Sequence, residues 1–555
     1  MDRNGAALMQ PSKRNWSAAA LWLLPLVYLG LFFFYPLAAV LRLVVQGSTT
    51  AFNAVTVLRP LGFTIYQAAL SAVLTLLVGI PAAGMFARFE FPGKRFLRAL
   101  TTLPFILPTV VVAAAFNALI GPNGWLNQGL MAVFQLTEPP IQLLNTLPAI
   151  LIAHVFYNTT VVIRLVGSAW TQLDPRLGQA ARVLGAAPLR AFREVTFPLL
   201  RPSILAAALL VFLFDFTSFG VILMLGGPRF STLEVEIYLQ AVQMLNLPLA
   251  ALLSIIQLGC TLGLAILSNR LSGQNYIPLT PRLKGEGTSR PEGVGQKAAL
   301  VGLGLLLLSL LVLPLMALAA RSVIIHDTGG TRLTLDFFSE LFINRRQSLF
   351  YVPPVVAARN SLVYALATVG LSLAVGVPAS AALNRRGGFT RVMDAVLMLP
   401  LGASAVTLGL GFLIVFNQPP LDVSSSPWLI PVAHSLVALP LVVRTVQPAM
   451  ASIPENLRQS AALLGAQPLR VWWEVDRPII TRAVLVSAIF AFTISLGEFG
   501  ATSFLSRPDM PTLPVAIYSF LSQPGAFNYG QAMAMATVLL AVCGCSIVLM
   551  ERLGD

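Results

Sequence analysis

The chain holds 555 residues, of which 56% are hydrophobic and only 10% charged, with a mean hydropathy of +0.79. That is too little polar surface to coat a soluble body of this size, so the protein is integral to a membrane. Its net charge of +14 sits in short loops between apolar blocks, which excludes a nucleic-acid footprint and makes the charge a matter of topology.

A hydrocarbon core about 30 Å thick needs roughly 20 apolar residues per helix. In chain order such stretches lie near residues 21–45, 63–87, 100–120, 144–166, 202–226 and 247–268, then 298–320, 360–383, 393–416, 428–449, 483–506 and 532–551. The first is longer than a signal-peptide core and no small-residue cleavage site follows it, so it reads as a retained span. Long apolar blocks without residue-by-residue alternation exclude a barrel. The fold class is all-α and polytopic, with six spans and then six more.

Arg3, Lys13 and Arg14 precede the first span and put the N-terminus on the cytoplasmic side. Alternate loops agree, with Arg88, Lys94, Arg95 and Arg98, then Arg270, Arg282, Lys284, Arg290 and Lys297, then Arg385, Arg386 and Arg391, and Arg552 at the C-terminus. Opposite loops carry little charge except 321–358, where His326, Asp327, Arg332, Asp336, Glu340, Arg345 and Arg346 predict a small ordered external element. Residues 271–297 are rich in Gly, Pro and charge and read as a flexible cytoplasmic linker. Cys260, Cys543 and Cys545 all fall in spans, and the last two point in different directions on a helix, so neither a disulfide framework nor a metal site is expected.

The chain is a tandem duplication. Residues 173–198, LDPRLGQAARVLGAAPLRAFREVTFP, match 453–478, IPENLRQSAALLGAQPLRVWWEVDRP, at 12 of 26 positions without a gap. The same offset of 280 pairs His154 with His434, Arg164 with Arg444, Phe219-Gly220 with Phe499-Gly500, and Ile237-Tyr238 with Ile517-Tyr518. Upstream the offset is 296 for Pro104 and Pro400 and 297 for Gly79-x-Pro81 and Gly376-x-Pro378, because half 1 has a longer loop near 121–142. The domains are accordingly 1–270, the linker 271–297, and 298–555.

Each repeated segment predicts a short amphipathic helix, an αL glycine and a second helix. Asp174-Pro175, and Ser452-Ile453-Pro454-Glu455 as a capping box, are start signals. Leu173, Leu177, Ala180, Ala181 and Leu184 recur at helical spacing, as do Ile453, Leu457, Ala461 and Leu464. Gly185 and Gly465 suit the helix-ending position, and Pro188 and Pro468 a new helix start. Such an elbow, held twice, has the form to fit a groove on another protein, whereas a surface helix needs only amphipathicity.

The pattern Gln179-Ala180-Ala181, Gly185 and Pro198, with Gln459-Ser460-Ala461, Gly465 and Pro478 as a second copy, resembles the E-A-A motif of type I ABC-importer permeases. The resemblance covers both halves and implies two tandem six-helix, MetI-like permease repeats in a bacterial inner membrane. It implies that the elbows, including Pro188, Arg190, Pro468 and Arg470, are coupling helices seated on two copies of an ATP-hydrolysing subunit. It also implies an extracytoplasmic solute-binding protein. The leading Glu of the motif is Gln in both copies, which removes any ion pair made there. The fused arrangement, with His154, His434 and the segments GGPRFSTLEVEIY and SRPDMPTLPVAIY, looks most like the thiamine and ferric-iron branch. No G-x-x-x-x-G-K-[ST] loop exists in the chain, so no cofactor is expected on it, and ATP-Mg would belong to the partner.

Ionisable residues within spans are site candidates. Asp215 and Glu498, one per half, suit a route for a cationic passenger, or else are carboxylates satisfied by hydroxyls such as Thr217, Ser218 or Thr493. His154 and His434 are candidates either for that path or for helix-to-helix hydrogen bonding. An ion-coupled secondary transporter also has twelve spans and internal repeats, with Asp215 and Glu498 as its relay, but it has no use for two large elbows. A membrane enzyme lacks any catalytic cluster at one depth. The charge pattern makes a direct prediction: a reporter active only outside the cytoplasm works when fused after Asp336 and is silent when fused after Gly185 or Gly465. The reverse pattern would invert the topology.

Overall fold

The computed structural model describes residues 14–46, 54–227, 229–273, 288–327, 330–343, 352–384, 388–417 and 426–554. Among them, eleven helices are long and apolar enough to cross a membrane, and one bent pair brings the number to twelve. In chain order these are α1 Leu21–Gln46, α2 Ala54–Arg88, α3 Thr109–Phe134, α4 Leu147–Gln172, α5 Pro188–Phe216, α6 Leu247–Ser268, α7 Val294–Arg321 and α8 Pro354–Leu383. Then come α9, made of Gly388–Gly402 and Ala405–Phe416 with a 91° bend, α10 Leu429–Ala451, α11 Leu469–Gly497 and α12 Ala526–Met550. Spans are helical because nothing in hydrocarbon replaces a lost backbone hydrogen bond.

Three boundaries differ from expectation. The expected span 100–120 is broken: helix Lys94–Leu100 gives way to a 3₁₀ turn at Leu103–Ile106 before Thr109–Ile120 begins. Pro104 and Pro108 remove two amide donors there. Its counterpart α9 bends two residues after Pro400, whereas Pro81 and Pro378 sit inside α2 and α8, which run on past them. The spans expected at 202–226 and 483–506 start earlier, in the elbows, and stop at Phe216 and Gly497. Short helices Gly220–Leu225 and Thr502–Leu505 continue the apolar run.

By contact the chain forms two compact units, one of Met1–Val40, Ser361–Leu496 and Val548–Asp555, the other of Leu41–Asn360 and Gly497–Ile547. They cut across the sequence halves. In the first unit α1 lies on helices of the second half: Trp22 meets Phe389 edge-on at 5.7 Å, Tyr28 bonds the Ser435 hydroxyl, and Pro36 packs on Gly411. In the second unit α7 lies on helices of the first half, with Leu307 buried among Ala82, Met85, Phe86, Leu97 and Ile163. Each half thus lends its first span to the other.

Most of the linker lies outside the described residues, but its end is ordered, since Ser289 exchanges backbone hydrogen bonds with Arg88 and Glu90 at 2.9 and 3.0 Å. The second part of α3, the separate helix Trp125–Phe134, comes from the longer loop of half 1 and is tied down by buried Asn127, whose amide bonds Gly121 and both backbone groups of Ile141 at 2.8 Å. In 321–358 an antiparallel hairpin pairs Ile324–Asp327 with Gly330–Leu333. Arg345 and Arg346 lie outside the described residues.

The two units share one packing device. A Cβ at Gly79 would stand 2.6 Å from Val162, and one at Gly376 2.6 Å from Val442, the equivalent pair in the repeat. Each glycine lets two spans approach closely, as small residues do in membranes. Gly79→Ala and Gly376→Ala should each destabilise by about 1–3 kcal/mol, seen as a lower unfolding midpoint in detergent. Gly302→Ala, where nothing lies within 4 Å, should not; equal midpoints for all three would remove the contact from the account.

Candidate functional site: paired elbows and the buried polar knots

The two elbows are built alike. Pro175–Val183 is opened by Asp174, whose carboxylate accepts from the Arg176 amide at 2.9 Å. It closes with Gly185 at φ +89°, where the Ala186 amide reaches back to Ala181 O at 3.0 Å. Glu455–Leu463 closes the same way, with Gly465 at φ +82° and the Ala466 amide on Ala461 O at 3.0 Å. Positive φ with a six-to-one hydrogen bond is the glycine-dependent helix stop. The capping box expected in the second copy is absent: Pro454 is the cap residue, and the Ser452 hydroxyl bonds back to Ala449 O at 2.8 Å.

After each glycine, Pro188–Ala191 and Pro468–Val471 begin the second helix. Each runs through a π-helical turn, Phe192–Thr196 or Trp472–Asp476, into its span. An exposed ion pair lies at the start of each, Arg190 to Glu194 at 3.0 Å and Arg470 to Glu474 at 2.8 Å. The second copy has one more pair, Arg458 to Asp476 at 2.8 Å.

Gln179, Ala180, Pro198 and their equivalents Gln459, Ser460 and Pro478 are exposed, and Ala181 and Ala461 half-buried. The expected inward apolar stripe is only partly inward. Val183 and Leu184 are 87% and 88% exposed, Leu463 and Leu464 88% and 89%. Leu189 and Leu469 join them, so each elbow presents an apolar tip around its glycine. Exposed apolar patches of this kind mark surfaces that contact protein or membrane.

Within the spans the candidate residues separate. In the second unit Asp215, in the last turn of α5, is 1% exposed. Its Oδ1 accepts from Asn158 Nδ2 at 2.7 Å and lies 3.4 Å from His154 Nδ1. His154 Nε2 pairs with the Ser218 hydroxyl at 2.9 Å, and Gln67 Nε2 donates to the Asp215 carbonyl at 2.7 Å. Asp215 Oδ2 has no hydrogen-bond partner among the described residues. In the first unit the equivalent knot has no carboxylate: His434 Nδ1 pairs with Ser495 Oγ at 2.8 Å, and Ser495 with Thr368 Oγ1 at 3.1 Å. The 280-residue offset puts Ser495 in the place of Asp215 and Ala438 in that of Asn158. Half 1 keeps a carboxylate and the amide that binds it, and half 2 keeps neither.

Glu498 is a helix cap. Its carboxylate accepts from the Ala501 and Thr502 amides, each at 3.1 Å, and from the Thr502 hydroxyl at 3.0 Å, opening Thr502–Leu505. Of the hydroxyls expected to satisfy the carboxylates, Thr217 and Thr493 bond their own helices, and only Ser218 enters a knot, through His154. Asn158 and Gln67 escaped the sequence reading because neither carries charge or a repeated partner.

Also unforeseen is a row of four rings in the second unit. Phe219 stacks on Phe499 with centroids 5.4 Å apart and planes at 22°, Tyr238 meets Phe219 at 5.5 Å, and Tyr518 meets Phe499 at 5.5 Å. All four are duplicated positions, so the row is symmetric in the repeat. Gly220 makes room for it, since a Cβ there would stand 2.5 Å from Thr109 Oγ1 and 3.3 Å from Phe499. The repeat alignment held the signal, but not that the copies touch.

Residues 76–272 match the family profile described as binding-protein-dependent transport system inner membrane component. The chain is similar to the thiamine transport system permease protein ThiP of Escherichia coli (strain K12), 29% identical with 88% of each chain covered. It is also similar to the ThiP protein of Brucella abortus (strain 2308), 27% identical over 88% of this chain and 86% of that one. A solved chain of a bacterial alginate ABC transporter, in complex with a periplasmic protein bound to an alginate pentasaccharide, is 19% identical. It covers 47% of this chain and 96% of its own, with a TM-score of 0.41.

Asn158→Ala removes the hydrogen bond that holds a buried carboxylate and should destabilise by about 1–3 kcal/mol. The double change Asn158→Ala with Asp215→Ser, which copies the second knot, should recover most of the loss in detergent melting. A double variant no more stable than the single one would mean that the amide serves something other than Asp215.

Proposed function

We propose that the chain, whose residues 76–272 match the family of binding-protein-dependent transport system inner membrane components, seats a separate ABC ATPase subunit on each of its two elbows and that its cargo is thiamine. It is the permease of an ATP-driven ABC importer, and hydrolysis is the work of a subunit other than this chain. An ion-coupled carrier therefore drops out.

The observation that carries the coupling proposal is the pair of elbows with apolar tips at 183–189 and 463–469. Gln179, Ala180, Ala181, Gly185, Pro188, Arg190 and Pro198 form the first docking surface; Gln459, Ser460, Ala461, Gly465, Pro468, Arg470 and Pro478 form the second. The motif's Glu is Gln in both, so the contact made there is a neutral hydrogen bond rather than an ion pair. Each elbow continues without a loop into a 29-residue helix, α5 or α11, about 43 Å long. A partner that moves the tip moves the span, and closure of two ATPase subunits on bound ATP-Mg supplies that motion. The two tandem permease repeats, 1–270 and 298–555, then respond together, in an inner membrane with both chain ends in the cytoplasm. A solute-binding protein delivers cargo from the other side.

Thiamine is favoured over ferric iron by the names of the relatives that match most of the chain. The chemistry agrees, because a flat aromatic cation is suited both by ring faces such as those of Phe219, Phe499, Tyr238 and Tyr518 and by the Asp215 carboxylate. On this reading Asp215 and His154 act together at the passage, whereas Glu498 and His434 hold helices in place.

Reconstitution of the chain with its ATPase and solute-binding protein tests both parts. Gly185→Asp combined with Gly465→Asp strains two left-handed turns and charges two apolar tips, so binding-protein-stimulated ATP turnover should fall at least about tenfold. Wild-type stimulation in the double variant would falsify elbow docking. Thiamine should be the ligand that accumulates in the proteoliposomes; accumulation of ferric iron instead would overturn the cargo.

A further inference from the structure

α7 ends at Arg321, whose side chain is 7% exposed. Among the described residues its Nε and Nη1 have no hydrogen-bond partner, and the guanidinium carbon lies 5.4 Å from the centre of the Tyr529 ring. It lines a cavity of about 310 Å³ together with Asn123, Gln128, Gln523 and Tyr529. Phe337 closes one side by packing on Gly530, where a Cβ would stand 2.2 Å from the ring. No lining residue is a carboxylate, and among the described residues none makes an ion pair with Arg321.

A guanidinium stays charged at any relevant pH and presents a planar fork that fits a carboxylate. Buried without an anion, it is costly. The surrounding amides add donors of the same sense, and the ordered loop at Asn127 and the hairpin at Ile324 hold the walls of the cavity. By the placement of basic residues, the end of α7 faces away from the cytoplasm, where the solute-binding protein arrives.

We propose that this cavity receives an aspartate or glutamate side chain of the solute-binding protein, paired to Arg321, when that protein docks. The inference rests on the importer reading above. The test titrates ligand-loaded binding protein into the reconstituted permease and ATPase and reads the concentration that half-stimulates ATP turnover.

Arg321→Gln should raise that concentration at least about thirtyfold, with the shift falling there rather than on turnover at saturation. Gln523→Glu keeps the arginine but offers it a carboxylate of its own, and should raise the half-stimulating concentration in the same direction. A purely structural arginine would leave Gln523→Glu neutral, so a value within twofold of wild type in the folded Gln523→Glu complex overturns the proposal even if Arg321→Gln fails to fold. If wild type is not stimulated by any concentration of binding protein, the importer reading itself fails, and that is seen before a variant is made.

Discussion

Hydrocarbon offers no partner to a polar group, so the backbone amides and carbonyls inside the spans are satisfied by the chain itself. That constraint governs where the helices break. α5 and α11 both stop part-way through an apolar run, and the short helix that restarts after each stop has first-turn backbone donors that need an acceptor. At the second break Glu498 supplies it, capping Thr502–Leu505 with both oxygens. At the first break the neighbouring side chains are Asp215 and Ser218, drawn into the knot with His154. The duplicated segment has thus diverged: one carboxylate accepts from backbone amides at the second break, and the other is held by side chains at the first. The ring row of Phe219 and Phe499 lies immediately after the two breaks, positioned by them.

The elbows are continuous with the spans. Gly185 and Gly465 stop one helix, and the next runs on into the span without an intervening loop. The π-helical turns at Phe192–Thr196 and Trp472–Asp476 occupy equivalent places, and such turns mark functional positions inside helices. The arginine–glutamate pairs just before them are exposed and worth little to stability. Their duplication suits a contact surface better than a brace. Only the second elbow has Arg458 to Asp476, which links its short helix to the turn, so the two copies differ in this contact while agreeing in shape.

The exchange of first spans joins the two halves more firmly than a linker does. α1 is fixed to the second half by Trp22, Tyr28 and Pro36, and α7 to the first half by Leu307. Neither half has its own complete set of neighbours. The linker between α6 and α7 need therefore only be long enough, and among its described residues Ser289 lies beside the end of α2.

The sequence by itself determined what is local. Apolar length decided the class and number of spans, repetition located the elbows, and the requirement for positive φ marked Gly185 and Gly465, because each depends on a window of a few residues. Asp215, Glu498, His154 and His434 were also legible as candidates, since charge in hydrocarbon is conspicuous. Their roles were not, because they depend on partners that local patterns do not reveal. Asn158 binds Asp215 from 57 residues away, and Phe219 meets Phe499 across a whole repeat. Tertiary structure decided that one carboxylate joins a three-helix knot while the other caps a helix, that the proline breaks fall at Pro104 and after Pro400 but not at Pro81, and that first spans are exchanged. Contacts between distant segments are chosen by packing and polar satisfaction together, and neither leaves a periodic trace in the chain.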